Sequence, residues 1–149
     1  MIPLIIDYDG NRYNFRDWAR NILQVKRLEE IHKYDTIVAL NKSPTSNQLS
    51  NAFASITKIY RNFVTTIIAE NFGEIASYQS PPSFRFHYKG YGSSVFHRDR
   101  DFGVDQGKVN VWIPLTEVYG TNSLWLEAKE GSEKYLPVSM SYGLSLIHI

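Results

Sequence analysis

Apolar residues in this chain change their spacing about half-way along. From Phe15 to about Gly73 they recur at helical intervals. Phe15, Trp18, Ile22, Val25 and the stretch from Leu28 to Ile31 mark one predicted amphipathic helix. Leu49, Phe53, Ile56, Tyr60, Phe63, Ile67 and Ile68 mark a second, longer one. Ser43-Pro44-Thr45 supplies a start signal and a break ahead of it, and Gly73 a stop. Beyond the loop Tyr78-Gln79-Ser80-Pro81-Pro82 the period falls to two. Phe84, Phe86 and Tyr88 alternate with Arg85, His87 and Lys89, and Val109, Val111, Ile113 and Leu115 alternate with Asn110, Trp112 and Pro114. Leu124 to Leu126 reads as another short strand, and glycine-containing turns such as Tyr119-Gly120-Thr121-Asn122 separate these runs.

Helices followed by short strands predict an α+β arrangement, with helices packed on one face of an antiparallel sandwich. Residues 1–80 are mainly helical and residues 81–149 form the sandwich part of a single domain. A double-Greek-key jelly roll needs about eight strands, whereas about five or six can be traced from Pro82 to Ile149. The sandwich is therefore expected to be incomplete.

Composition narrows the chemistry. The chain has 149 residues, long enough for a hydrophobic core, and its 43% hydrophobic and 21% charged residues are those of an ordinary globular protein. A formal net charge of +1 offers no overall field to attract nucleic acid or a membrane surface. Cysteine is absent, which removes disulfide scaffolds, thiolate metal sites and cysteine nucleophiles. The start, Met1 to Asp7, lacks the basic region of a signal peptide, and no apolar stretch is long enough to span a bilayer. A cytoplasmic enzyme or binding protein is the expectation. The aromatic share, 14% with ten Tyr, is high, and dense core packing is its simplest use.

The densest polar cluster is Phe96-His97-Arg98-Asp99-Arg100-Asp101-Phe102-Gly103. In an extended segment His97 and Asp99 project from one face, offering an imidazole nitrogen and a carboxylate oxygen to one divalent metal. Arg98 and Arg100 then point the other way, towards Asp101 or Asp105. A surface cluster of alternating charge is the plainer reading of the three-residue pattern alone. His97-Arg98-Asp99 and Asp101-Phe102-Gly103 also spell two protein-kinase signatures, but here they nearly overlap, and no glycine-rich loop or partner lysine precedes them. That match is accidental.

Three linked blocks carry a resemblance. They are Phe96 to Gly103, Val109-Asn110-Val111-Trp112-Ile113-Pro114-Leu115-Thr116, and Gly120-Thr121-Asn122-Ser123-Leu124-Trp125-Leu126-Glu127. From about Pro82 to Gly143 the chain resembles the streptomycin-biosynthesis-type Fe(II)/2-oxoglutarate-dependent oxygenases, relatives of the phytanoyl-CoA hydroxylase group. The resemblance implies a partial double-stranded β-helix, a jelly-roll or cupin-like fold. It implies His97 and Asp99 as iron ligands, with Arg85, Asn110, Trp112 and Asn122 lining the pocket for 2-oxoglutarate or substrate. It also implies O2 and a small metabolite or saccharide as reactants.

The family pattern continues past a Tyr-Gly such as Tyr142-Gly143 to a distal iron His and then an Arg that grips 2-oxoglutarate. Here the sequence runs Leu144-Ser145-Leu146-Ile147-His148-Ile149, in which His148 comes too early for that role and no Arg follows. Those last residues resemble translated sequencing-adapter sequence. The expectation is a longer natural protein, with this stretch inactive by itself. His32 is expected on the surface, and His87 shares a strand face with Arg85. A jelly-roll metabolite-binding protein without redox chemistry, or a cupin-like isomerase, is the alternative. Oligomeric state is not legible.

Overall fold

The computed structural model describes residues 3–33, 44–88, 96 and 107–148. Strand β1 (Leu4–Asp7) leads into helix α1 (Phe15–Leu23) and a 3-10 turn at Leu28–Lys33. A nearly continuous helical run follows: α2 (Pro44–Ala52), a 3-10 turn (Phe53–Ser55), α3 (Thr57–Phe63), a π-helical turn (Val64–Ile68) and α4 (Ala69–Phe72). The later half contributes β2 (Asn110–Trp112), a 3-10 turn (Gly120–Asn122), β3 (Leu124–Glu127), β4 (Tyr135–Val138) and β5 (Leu144–His148).

The first predicted helix is two pieces rather than one. At Gln24 the backbone turns left-handed, with φ 53°. The Gln24 N–H donates to Asn21 O and the Val25 N–H to Arg20 O, which together close a Schellman cap on α1. The second helix begins at Pro44, whose missing N–H costs nothing at a first helical position, and it ends at Gly73 with φ 109°. His32 is exposed, as expected.

The strands pair as two small antiparallel sheets, β1-β5-β2 and β3-β4. In the larger sheet Ile6 lies opposite Ser145, Leu4 and Val111 flank Ile147, and Trp112 lies opposite Leu146. This register gives the sheet two different faces. Ile6 and Ile147 turn towards the helices, joined there by Val109, Ile113 and Leu115. Trp112, Leu144 and Leu146 turn the other way, onto Val118, Met140 and the β3-β4 residues Leu124, Leu126 and Val138. The result is helices on a three-stranded sheet, and that sheet on a two-stranded one. The segment that resembles adapter sequence supplies β5, the central strand, because its alternation offers a different residue set to each side.

The α+β class therefore holds, while among the described residues the sheets close no barrel. Two predicted strands differ. Residues 84–88 pair with no strand among the described residues, because Phe84 and Phe86 dock on the helices instead. The run 109–115 keeps only Asn110–Trp112 as a strand. Pro114 has no N–H to give to a ladder. Within that run the predicted split of faces is present, with Val111 37% exposed on the helix side.

The helix-side core is built around Phe63, which is fully buried. Tyr8, Tyr13 and Phe15 each present an edge to or meet the face of its ring, at centroid distances of 5.1, 5.3 and 5.4 Å. Tyr142 closes the cluster from just before β5. Its hydroxyl lies 2.8 Å from Gly10 O and 2.9 Å from Tyr13 O, and Arg16 stacks 4.2 Å above its ring. A Cβ on Gly10 would come within 2.6 Å of that ring, so only glycine leaves Tyr142 its place. The Tyr8 hydroxyl, by contrast, is buried without a well-formed hydrogen bond among the described residues. Burial raises its pKa, the neighbouring Tyr142 adds to the rise, and the Gly143 backbone and Arg16 oppose it without cancelling it.

Two predictions follow from this contrast. Tyr8→Phe removes an unsatisfied hydroxyl and should leave stability unchanged or raise it by about 1 kcal/mol, whereas Tyr142→Phe removes the donor that Gly10 O and Tyr13 O share, Tyr13 O keeping the Phe15 N–H, and should cost about 1–2 kcal/mol. Urea unfolding of both variants checks this, and equal losses would contradict it. The second concerns pH. Tyr8, Tyr60 and Tyr142 all have folded pKa values raised chiefly by burial. The folded state therefore keeps protons that the unfolded chain gives up near the ordinary tyrosine value of about 10. Stability should be level below about pH 9 and fall as pH rises through and beyond about 10, less steeply in Tyr8→Phe.

Candidate functional site

His97 and Asp99 lie outside the described residues. Phe96, immediately before them, stacks on Tyr135 of β4 with ring centroids 3.8 Å apart and planes 16° from parallel. Phe96 itself therefore lies beside the two-stranded sheet. Among the described residues, no three His, Asp or Glu side chains are placed to hold one metal ion.

The other four candidates occupy different settings. Asn110 opens β2 and is exposed. Trp112, on the same face of the sheet, is half-buried between the two sheets against the Val118–Met140–Leu146 core. Asn122 closes the 3-10 turn. Its Oδ1 accepts the Tyr119 N–H at 2.6 Å, while its own N–H donates to Tyr119 O at 3.2 Å. Among the described residues its amide NH2 group makes no hydrogen bond and can meet a ligand. The neighbouring Gly120 O accepts both Ser123 Oγ (2.7 Å) and Trp125 Nε1 (2.9 Å), so the turn is tightly cross-linked.

His87 is attached to this turn through a ring Nδ1 3.1 Å from Asn122 O. A carbonyl can only accept, so Nδ1 carries the proton and, in the neutral ring, Nε2 keeps a lone pair for a proton or a ligand. Sequence reading had placed His87 beside Arg85 on one strand face. The structure brings it to Asn122 instead.

Arg85 lines a cleft of about 290 Å³. One wall is the start of α2, with Ser46, Asn47 and Ser50. The other is the loop 79–85, with Gln79, Ser83 and Arg85. Both walls are fixed. The Ser46 hydroxyl donates to Phe84 O at 3.4 Å, and Gln79 O accepts the Tyr60 hydroxyl at 2.9 Å. Phe84 is wedged against Trp18 and Phe53, with centroids 5.9 and 6.4 Å away. Of these residues only Arg85 was singled out by sequence. The available signal was two Ser-, Pro- and amide-rich stretches, 43–50 and 79–83, whose proximity comes from the fold.

Over 140 residues the chain is 29% identical to the streptomycin biosynthesis protein StrG of Streptomyces griseus. The match takes in 91% of this chain, both helices and strands, and the chain spans 66% of that protein's length. No family model matches the sequence, and no solved structure matches it. Among the described residues no helix is long and apolar enough to cross a membrane.

The Asn122 geometry separates a structural role from a binding one. Asn122→Ala should cost about 1 kcal/mol, the usual value of a lost cap, while the backbone carbonyl that holds the His87 ring is kept. Asn122→Asp keeps the acceptor and should preserve stability. Thermal unfolding, with the His87 imidazole followed by NMR, reads both. Full stability in Asn122→Ala would show that the Tyr119 contact contributes nothing.

Proposed function

We propose that this chain is part of an Fe(II)/2-oxoglutarate-dependent oxygenase that acts on a small hydroxylated metabolite in secondary metabolism. The observation that carries the reading is His97-x-Asp99, set in three sequence blocks of the kind such oxygenases share. Similarity to a streptomycin biosynthesis protein supports the metabolic setting. The fold that goes with this reading is a partial double-stranded β-helix, and two antiparallel sheets packed face to face are compatible with part of one.

The donor chemistry fits the metal. A neutral imidazole and a carboxylate are two of the three groups of a facial triad, and the carboxylate neutralises part of a divalent charge. His97 and Asp99 would hold the ion, and the resemblance places the remaining His beyond Gly143. When bound, iron and 2-oxoglutarate would supply the oxidising power, with O2 and 2-oxoglutarate consumed, succinate and CO2 released, and one oxygen atom entering a substrate C–H bond. The chain's own part is to bind, orient and exclude water. Arg85 can fix a carboxylate or another anion of co-substrate or substrate by charge-assisted hydrogen bonds. Asn110 and the Asn122 amide NH2 can meet hydroxyl or carboxylate oxygens, and the indole of Trp112 supplies a water-excluding wall.

The test uses two forms, the 149-residue chain and a chain with whatever the gene encodes after Gly143. Each is supplied with Fe(II), ascorbate, O2 and 2-oxoglutarate. Succinate should form with the longer chain, and Asp99→Ala should lower it by more than about 100-fold, since even outer-shell changes at metal sites cost 10- to 100-fold. Binding of Co(II) as a spectroscopic stand-in should fall in parallel. Unaltered succinate formation by Asp99→Ala would end the proposal. Absent turnover with intact metabolite binding would favour the binding-protein alternative.

A further inference from the structure

The cleft between α2 and the loop 79–85 has a chemical character of its own. Among the described residues its lining contains one cation, the exposed Arg85, and no carboxylate, and the Arg85 guanidinium forms no ion pair. An unpaired guanidinium beside uncharged polar groups attracts an anion, and its planar fork matches the two oxygens of a carboxylate or phosphate.

The remaining lining specifies more than charge. Asn47 and Ser50 offer side chains that no hydrogen bond engages among the described residues, one turn apart on the helix. Ser83, on the facing wall, is held by Gln79 Nε2 at 3.2 Å, and this keeps its hydroxyl in place while leaving it able to donate. Phe84 also lines the cleft, its ring packed on Trp18 and Phe53. Hydroxyl and amide groups suit a molecule with several hydroxyls. A volume of about 290 Å³ sits at the lower edge of small-molecule sites and admits one compact metabolite. Walls pinned at both ends need little reordering on binding, which removes part of the entropic cost.

We propose that this cleft is a binding site for a small polyhydroxylated metabolite carrying an oxyanion, with Arg85 holding the anion and Asn47, Ser50 and Ser83 the hydroxyls. The oxyanion is a carboxylate or a phosphate monoester, two sources of one chemistry. The proposal goes beyond the oxygenase reading and does not depend on it, since no iron takes part.

Two-dimensional amide NMR of the metal-free protein, in the presence of a chelator, tests it. Probes are inorganic phosphate, glucose 6-phosphate, gluconate and 2-oxoglutarate, with glucose as the uncharged control. Saturable shifts at residues 47, 50, 83 and 85 are expected with glucose 6-phosphate or gluconate, and whichever binds more tightly identifies the oxyanion. Arg85→Ala should weaken that binding about tenfold or more, and Arg85→Lys should recover part of it. Ser50→Ala should weaken the hydroxylated probe while leaving inorganic phosphate unchanged. The proposal is overturned if no charged probe gives saturable shifts by about 10 mM, if Arg85→Ala binds as well as the parent, or if glucose binds equally. A failure of succinate formation leaves all of these outcomes unaffected, so the two proposals fail separately.

Discussion

The ring of Phe63 is the contact on which most of this structure depends. Three other rings meet it at steep angles of 76°, 76° and 87°, so that ring edges meet ring faces. Such pairs contribute about 0.5–1.5 kcal/mol each beyond the area they bury. What makes the cluster structural rather than merely dense is where its members come from. Tyr8 follows β1, Tyr13 and Phe15 enter α1, and Phe63 ends α3. One side chain thus joins the N-terminal strand, the first helix and the long helical run, and Tyr142 adds the approach to β5. The π-helical turn directly after Phe63 keeps Val64 and Ile68 buried beside it. Three of the ten tyrosines, Tyr8, Tyr13 and Tyr142, are used here, as packing with a polar handle.

Given that anchor, the layering follows from register. Because Ile6 faces Ser145 and Ile147 lies between Leu4 and Val111, the larger sheet gives the helices one residue set and the smaller sheet the other. Ser145 is the exception in a buried row. Its hydroxyl donates to Trp112 O at 3.2 Å, which satisfies the only side-chain polar group placed there. A slip of one residue would put Trp112 on the helices and Val111 between the sheets, so the indole and its size fix the register as well as the packing.

The helices were legible because a buried face repeats every three to four residues whatever it packs against. The break at Gln24 was not, because a left-handed cap signals itself mainly through glycine, and here a glutamine adopts it. β1 and β5 are short apolar runs, which periodicity cannot distinguish from pieces of helix. The segment 84–88 misled in the opposite direction. Its alternation is genuine, yet among the described residues Phe84 and Phe86 dock on helices and pair with no strand. The site divides in the same way. His97-x-Asp99 can be read as a local pattern, whereas the cleft depends on bringing residues 46–50 against 79–85, and nothing in either stretch names the other.

The segment 84–88 also links the two regions of interest physically. Phe84 is locked into the helical layer, Arg85 faces the cleft, and His87 is bonded to the turn that opens β3. Three extended residues span only about 10 Å. A ligand held by Arg85 therefore sits on the same short piece of backbone that positions the His87 ring, and both ends of that piece are fixed. The neutral His87 tautomer imposed by Asn122 O leaves Nε2 as a lone-pair donor.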